Sequence, residues 1–416
     1  MRRAGFVFTE LERRWIEYDV GNSALVLLNT AVAPIYFNSL LNGSDSDLLV
    51  VLWGAMQTFA SLVVALLMPI LGSFADRKDQ KIRFFLGFFL TGLIGCIALA
   101  LPMGAKPFLV IFVLCTIGLN SSMTFYDSML TDVTTDERMD NVSSAGYAWG
   151  YIGSTVPFIV CLILIFVGPK TGVVNTSTAC RLSFLITAIW WLFFTVPLCK
   201  SYRHIHWSDR DQTSISATLH ELKITMHAIK GNRQIFIYMI AFFFYIDGVH
   251  TVISMATSYG TALGIDSAQL VLALLATQFV AFPSAIIYGR LAGRWGTLKM
   301  IKIAVIAYCG IVLFAAFLLH SAVEFWILAM LVGLFQGGIQ ALSRSYFGKI
   351  IPKDKSNEYY GFFDIFGRYA SVMGTLIVSL MTAVTGDSSI GVLSVGILLV
   401  VGLVFLAQIP SESSLA

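Results

Sequence analysis

Residues 84–103, FFLGFFLTGLIGCIALALPM, form a run without charged side chains that is long enough to cross a membrane. A hydrocarbon core about 30 Å thick needs about 20 apolar residues in a helix. About a dozen comparable runs follow one another along the 416-residue chain, separated by polar segments. Because lipid offers the backbone no hydrogen-bond partners, runs of this length satisfy their peptide groups internally as helices.

The composition indicates the same environment. Hydrophobic residues make up 57% of the chain and charged residues 12%, against about 25% charged in a soluble domain. We therefore predict an all-α membrane protein of about twelve transmembrane helices. The six scattered cysteines show no CxxC pattern, so we expect packing roles for them and neither a metal site nor a cofactor. The predicted spans are 15–40, 49–75, 84–103, 107–130, 143–168, 180–199, 233–260, 267–289, 299–319, 323–346, 358–385 and 388–409.

The basic residues lie mainly on one side of these spans. If the N-terminus is cytoplasmic, every Lys and Arg falls in a cytoplasmic segment or helix end except Lys106, Lys170, Arg181 and Arg368. Such a bias sets membrane topology. The charged N-terminal segment lacks the apolar core of a cleaved signal peptide. We expect a multi-pass protein of the cell membrane with both termini in the cytoplasm.

The long loop at residues 200–232 contains apolar residues at helical spacing. This pattern predicts an amphipathic helix on the cytoplasmic surface. A linker is the simpler interpretation, and docking of a partner is the alternative. The residues that carry the pattern are Ile215, Leu219, Leu222, Met226 and Ile229.

Two junctions recur along the chain at nearly the same offset. Gly72-Ser-Phe-Ala75-Asp76-Arg77, after span two, corresponds to Gly289-Arg-Leu-Ala292-Gly293-Arg294, after span eight. Gly118-Leu119 in span four corresponds to Gly333-Leu334 in span ten. The shared register predicts a duplication, as in many transporters. We expect six-helix bundles at 1–199 and 233–416, with two pseudo-symmetric halves joined by a linker at 200–232.

The first junction resembles the signature loop between the second and third helices of the major facilitator superfamily. That pattern has a Gly, an Asp-Arg pair four residues on, and then Gly and basic residues. The resemblance implies that Asp76 and Arg77 latch the cytoplasmic ends of the halves together when the protein faces outward. Here Asp79 and Gln80 replace the usual Gly and Arg, and Gly293 takes the place of Asp in the second copy. The remaining gating residues that we expect are Arg294 and Arg344, the latter with lipid-headgroup contact as an alternative.

A narrower resemblance covers most of the chain. Trp15-Ile-Glu-Tyr18-Asp19-Val-Gly21-Asn22, Tyr245-Ile-Asp247-Gly248-Val249-His250 and Gly337-Gly338-Ile-Gln340-Ala341-Leu342-Ser343-Arg344 resemble motifs of the vacuole-effluxer-like branch. That branch includes a yeast vacuolar amino acid exporter linked to autophagy. The resemblance implies export or movement of small solutes such as amino acids.

Three ionisable residues inside predicted spans are candidates for proton coupling. A charge at mid-bilayer costs at least about 2.5 kcal/mol, so its retention suggests a function. Asp247 lies deep in span seven with His250 three residues on, on the same helix face. The two could exchange a proton, or Asp247 could close a helix interface. Asp19, near the start of span one, is either a third coupling group or a helix cap, and an earlier helix start would favour coupling.

Other polar residues could bind the substrate. Arg368 and Asp364 are four apart on span eleven, where Arg368 could hold a carboxylate or phosphate or simply pair with Asp364. Uncharged polar side chains could line a cavity or join helices. These are Asn22, Gln57, Asn120, Gln278, Gln336 and Gln340.

These features predict a secondary active transporter that moves an amino acid or small organic anion by alternating access, driven by protons. An exporter or flippase for an amphipathic, lipid-like molecule is the alternative, and it would need a more apolar cavity. We do not expect an enzyme, since HExxH, GxGD and P-loop patterns do not occur. The expected partners are a small-molecule substrate, a proton or other ion, and the lipid bilayer. We expect a monomer that does not bind nucleic acid.

Overall fold

The computed structural model describes residues 6–41, 46–209, 215–262 and 264–410, apart from the side chains of residues 46–50, 215–217, 257–259, 262, 267–268, 368–372 and 388. The described residues are largely helical, and no strand occurs among them. In chain order the helices are α1 Glu10–Ser39, α2 Ser46–Ala75, α3 Gln80–Leu99, α4 Ala105–Val133, α5 Asp136–Phe166, α6 Thr176–Ser201, α7 Ile215–Gly231, α8 Arg233–Ala262, α9 Ser267–Trp295, α10 Thr297–Phe317, α11 Ala322–Ile350, α12 Ser356–Thr385 and α13 Ser388–Ala407.

The helices confirm the predicted class. Eleven of them, all except α7 and α12, contain described segments that are long and apolar enough to cross a membrane. Within α12 a shorter apolar segment, Met373–Thr385, supplies the twelfth. The predicted all-α architecture of about twelve spans is therefore correct.

The first helix begins earlier than its apolar run predicts. Thr9 caps it by accepting a hydrogen bond from the backbone N of Glu12, while the Glu12 side chain accepts one from the backbone N of Thr9. This capping box satisfies donors that would otherwise be unpaired at the helix start. With α1 starting at Glu10, Asp19 lies nine residues along it, about 14 Å from its start.

Two clusters of buried apolar side chains form the interior. One draws on residues between Trp15 and Tyr202, and the other on residues between Ile229 and Ile409. We call helices α1–α6 the first half and helices α8–α13 the second half. We propose, from these two cores, the domain boundaries predicted above.

Two pairs of glycines four residues apart, Gly146 with Gly150 and Gly333 with Gly337, lie where helices approach closely. A Cβ on Gly150 would be 2.7 Å from Ser23 Oγ, and one on Gly333 would be 3.0 Å from the backbone O of Thr277. A Cβ on Gly337 would be 2.8 Å from the ring of Tyr151, across the boundary between the halves. These glycines allow helix backbones to pack at short distance.

One face of the molecule collects the start of α1, the end of α2 and the starts of α5 and α12. Arg138 on α5 donates to Glu12 on α1 at 2.6 Å. Asp76, just past α2, accepts from Asn357 on α12. We call this the terminal face, because the first helix begins there.

The predicted amphipathic helix exists as α7, and its buried side matches the predicted stripe only at Ile229 and, in part, at Leu222; the side chain of Ile215 lies outside the described residues. Thr218, Thr225 and Ile229 are buried, whereas Leu219 and Met226 are 46% and 37% exposed. The spacing of the apolar residues alone did not show which side packs against α2 and α8.

Candidate functional site

Arg344, on α11 of the second half, reaches into the first half. Its side chain is only 4% exposed. Nη1 donates to Asp127 Oδ1 at 2.8 Å, and Nη2 donates to Asp19 Oδ2 at 3.3 Å. Nε donates to Ser143 Oγ at 3.0 Å, and Nη2 also donates to the backbone O of Ser143 at 3.1 Å. These four bonds all run to the first half, and the burial rules out the alternative of lipid-headgroup contact.

Three aromatic rings of the first half surround the same guanidinium. Its Cζ lies 4.6 Å from the ring centroid of Trp15, 4.4 Å from that of Tyr147 and 5.5 Å from that of Tyr126. The negative faces of such rings attract cations, and more strongly where water is excluded. We call Trp15, Asp19, Tyr126, Asp127, Ser143 and Tyr147 together the arginine site.

Helical spacing explains why these residues converge. Trp15 and Asp19 are four residues apart on α1, and Ser143 and Tyr147 are four apart on α5, so each pair shares a helix face. Gly146 leaves the space between them open. A Cβ at that position would lie 2.5 Å from Asp19 Oδ2 and 3.1 Å from Arg344 Nη2.

The charges at this site do not balance. One guanidinium faces the two carboxyl groups of Asp19 and Asp127. A third carboxyl lies close by, because Thr124, three residues before Asp127 on α4, donates a hydrogen bond to Asp364 of the second half. Buried charges are costly unless they are paired. A proton on one of these carboxyl groups would remove part of the excess negative charge.

The predicted latch residue Asp76 holds the start of α12. Its carboxyl is buried and accepts from Asn357 N at 2.8 Å, Asn357 Nδ2 at 2.7 Å and Glu358 N at 3.0 Å. Negative charge is favourable at a helix N-terminus. Burial nevertheless raises the pKa of Asp76 to about 7, with Lys81 and the three N–H donors opposing. Burial of this carboxyl therefore favours proton uptake at Asp76.

Lys81 supplies a second connection at the start of α12. It is fully buried, and its Nζ lies 2.7 Å from Asp132 Oδ2 on α4 and 2.9 Å from Ser356 Oγ on α12. Asp79, where the family pattern has Gly, adopts a φ of 58°. This left-handed conformation suits Gly and is tolerated by Asp.

The second junction is joined differently from the first. Arg294, predicted as a gating residue, is exposed. The acidic partner comes instead from the first half, where Asp140 accepts from Lys349 Nζ at 2.6 Å, Thr297 Oγ1 at 2.7 Å and Ser345 Oγ at 2.6 Å. Asp140 thus ties α5 to the start of α10 and the end of α11.

The predicted coupling residue Asp247 lies inside the second half. It is fully buried, and Oδ1 accepts from Gly374 N of α12 at 2.9 Å and from Thr251 Oγ1 at 3.3 Å. Oδ2 has no hydrogen-bond partner among the described residues. His250, one turn on, is partly buried. These contacts join α8 to α12 and do not cross to the first half.

The other predicted site residues divide by position. Asn22 donates to Asp19 Oδ1 at 3.3 Å and so lies next to the arginine site. Gln278 bonds within its own helix, to Leu274 O and Thr277 Oγ1. Gln57 is exposed, Gln336 is buried, and Asn120 and Gln340 are partly buried. The side chain of Arg368 lies outside the described residues.

The sequence did not single out several residues that join the halves or support the joint. Asp127 lies near the end of predicted span four, a position like that of Arg344 in span ten, and Asp140 lies between predicted spans four and five. In the sequence, Lys81 is only a basic residue after the signature loop. Ser143 is only a residue with a hydroxyl group near a predicted helix start. The arginine site and the latch residues lie toward the terminal face. The hydrogen bond between the halves from Thr124 to Asp364 starts nine residues from the end of α4.

Comparison with known proteins places this architecture in a family. The model of the vacuole effluxer Atg22-like family matches residues 130–416. An uncharacterized MFS-type transporter, YxiO of Bacillus subtilis, is 41% identical over 98% of this chain and 96% of its own length. Autophagy-related protein 22 of Cryptococcus neoformans is 25% identical over 69% of this chain, which spans about half of that relative, 52%.

Solved structures show the same fold. The major facilitator superfamily transporter FucP, crystallised in the outward conformation, matches with a TM-score of 0.73 over 96% of this chain and 99% of its own, at 14% identity. A bacterial homologue of the iron transporter ferroportin in an outward-facing state matches with a TM-score of 0.68 over 96% of this chain and 98% of its own, at 12% identity. The chain therefore belongs to the vacuole effluxer Atg22-like family and is a membrane transporter of the major facilitator superfamily.

Proposed function

We propose that this protein moves a small solute, such as an amino acid, by alternating access and couples that movement to protons. The observation that carries the proposal is the arginine site. An arginine of the second half is held by two carboxyl groups and three aromatic rings of the first half. The halves cannot separate at the terminal face without breaking this contact.

The described conformation is closed at the terminal face. The bonds from Asp76, Lys81, Asp140 and Arg344 to the opposite half all lie toward this face. We keep both termini in the cytoplasm, as the distribution of basic residues predicts. The described state is then the one that faces outward.

The proposal includes protons because the arginine site has more carboxyl groups than positive charges. Removing one partner of a buried ion pair costs about 3–5 kcal/mol, so opening must supply a substitute for the Arg344 charge. A proton on Asp19 or Asp127 is such a substitute. The titratable and charged groups in or next to the site are Asp19, Asp127, Asp364, Arg344, Tyr126, Tyr147 and Tyr360.

The substrate carries a positive group in this proposal, as amino acids do. The organic-anion prediction depended on Arg368, and the described side chains add no support for it. We therefore favour an amino acid over an anion without an ammonium group.

One groove supports the lipid-exporter alternative. It has a volume of about 650 Å³, lies between α1, α5 and α6, and is lined by Trp149, Val156, Trp190 and Phe194 with Arg13 and Glu17 at its edge. An apolar groove with a charged edge suits an amphipathic molecule.

A screen in proteoliposomes tests both functions. Purified protein is reconstituted, and uptake of amino acids and small organic anions is measured with and without a pH gradient. We expect uptake of an amino acid that responds to the gradient and is lost in Asp127→Asn. Absence of solute uptake, together with lipid scrambling between the leaflets, would replace the proposal with the lipid-exporter function.

A further inference from the structure

We propose that the arginine site is also the binding site for the cationic group of the solute, so that Arg344 occupies it as an internal stand-in while the terminal face is closed. This inference rests on the proposed function and names the class of its substrate. The class is a solute with a guanidinium group.

The site is complete without the second half. Every group described around the Arg344 guanidinium, two carboxyl groups, one serine and three rings, comes from α1, α4 or α5. Carboxylates and aromatic faces are the groups that recognise organic cations. When α11 moves away, the Arg344 guanidinium leaves with it. The first half then retains an empty site for a cation.

The geometry favours a planar cation with several N–H groups. Four hydrogen bonds are made from three different nitrogens, Nε, Nη1 and Nη2, which a guanidinium presents in one plane. The space beside Nη2 exists because residue 146 is Gly. An ammonium group, with three N–H donors on one nitrogen, would satisfy fewer of these acceptors.

The same carboxyl groups are then the target of three competitors: Arg344, a solute cation and protons. The two carboxyl groups of Asp19 and Asp127 can be neutralised by Arg344, by the solute or by protons, and each occupant weakens binding of the others. A cation that enters must displace either Arg344 or protons. This arrangement exchanges a cationic solute for protons.

A matched pair of solutes tests the inference. Arginine and citrulline have nearly the same shape, but citrulline carries a neutral ureido group in place of the guanidinium. Binding to the detergent-purified Arg344→Ala protein is measured by isothermal titration calorimetry. We expect arginine to bind at least about ten-fold more tightly than citrulline, and more tightly than it binds to the wild-type protein, in which Arg344 competes.

Adding Asp127→Asn to Arg344→Ala should abolish the preference for arginine. Equal binding of arginine and citrulline by folded Arg344→Ala protein would overturn the inference. If Arg344→Ala does not fold, competition is measured with the wild-type protein in proteoliposomes. Arginine should then inhibit uptake of the solute found in the screen, and citrulline should not.

The outcomes separate the inference from the proposed function. Proton-driven uptake of a solute that arginine neither inhibits nor replaces would overturn the inference and leave the transporter function standing. Selective arginine binding without transport of any solute would support the site and contradict the proposed function.

Discussion

Each half of the molecule begins with a helix that carries a buried aspartate, and the two aspartates have different partners. Asp19 on α1 faces the other half, where it pairs with Arg344. Asp247 on α8 faces its own half, where it accepts from the backbone of Gly374. Asp247 lies farther from the start of its helix, yet its contacts hold one bundle together. Position along the helix therefore does not show whether a buried carboxyl joins the two halves, and our coupling proposal uses the partner in the other half as its criterion.

The largest effect should follow from Asp127→Asn. It removes the carboxylate at 2.8 Å from Arg344 and leaves Asp19 as the one carboxyl in direct contact with the guanidinium, so the excess negative charge that a proton would neutralise is lost. We expect proton-driven uptake in proteoliposomes to fall by about 100-fold, the equivalent of about 3 kcal/mol. Asp79→Asn, in the exposed loop after α2, is the matched control and should retain uptake. Near-normal uptake by Asp127→Asn would mean that contact with Arg344 does not mark a coupling residue. The comparison between Asp19 and Asp247 would then lose its basis.

The next effect concerns the latch alone. Asp76→Ala leaves three buried N–H donors at the start of α12 without their acceptor. The cost of about 2 kcal/mol should reduce the ratio of molecules closed at the terminal face to open ones by about 30-fold. Spin labels at Lys78→Cys and Asp354→Cys report this opening by pulsed electron paramagnetic resonance, in a protein with Cys199 and Cys309 replaced by Ser. An unchanged distance distribution would show that the arginine site closes the face without Asp76.

A smaller effect should come from crowding the arginine site. In Gly146→Ala the new methyl would lie 2.5 Å from Asp19 Oδ2, so Asp19 and Arg344 must shift. The overpacking should cost about 1–1.5 kcal/mol. In the same spin-label experiment it should lower the ratio of closed to open molecules by about ten-fold. Gly310→Ala is the control, since nothing lies within 4 Å of its added Cβ. Equal behaviour of the two variants would mean that the site tolerates a methyl group.

The smallest effect on coupling should come from Asp247→Asn. The amide oxygen can still accept from Gly374 N, and the amide nitrogen replaces an oxygen that has no described partner. Uptake should stay within about three-fold of wild type, because no charge between the halves changes. Asp247→Ala, which loses the acceptor, should lower the melting temperature. A loss of proton-driven uptake in a stable Asp247→Asn protein would reverse the comparison and make Asp247 the coupling residue.

Part of the candidate site could be predicted because it follows from local sequence. Asp76 was identified from a signature loop, and it accepts hydrogen bonds from the start of α12, which lies in the other half; its latch role stays a prediction. The strength of Asp19 as a coupling candidate depended on where α1 begins. The capping box of Thr9 and Glu12 sets that start. Arg294 was chosen from the repeat, but the halves have diverged there, and Asp140 with Lys349 makes the contact instead.

The sequence by itself determined the membrane environment, the helical class and the approximate spans, because these depend on the length and polarity of continuous segments. It also indicated the duplication and the superfamily. Only the tertiary structure decided which buried charges meet. Asp19 and Arg344 are 325 residues apart in the chain and come together only when the two halves pack. No periodicity within one helix records which partner a distant helix will present, so the arginine site had to be read from the packed molecule.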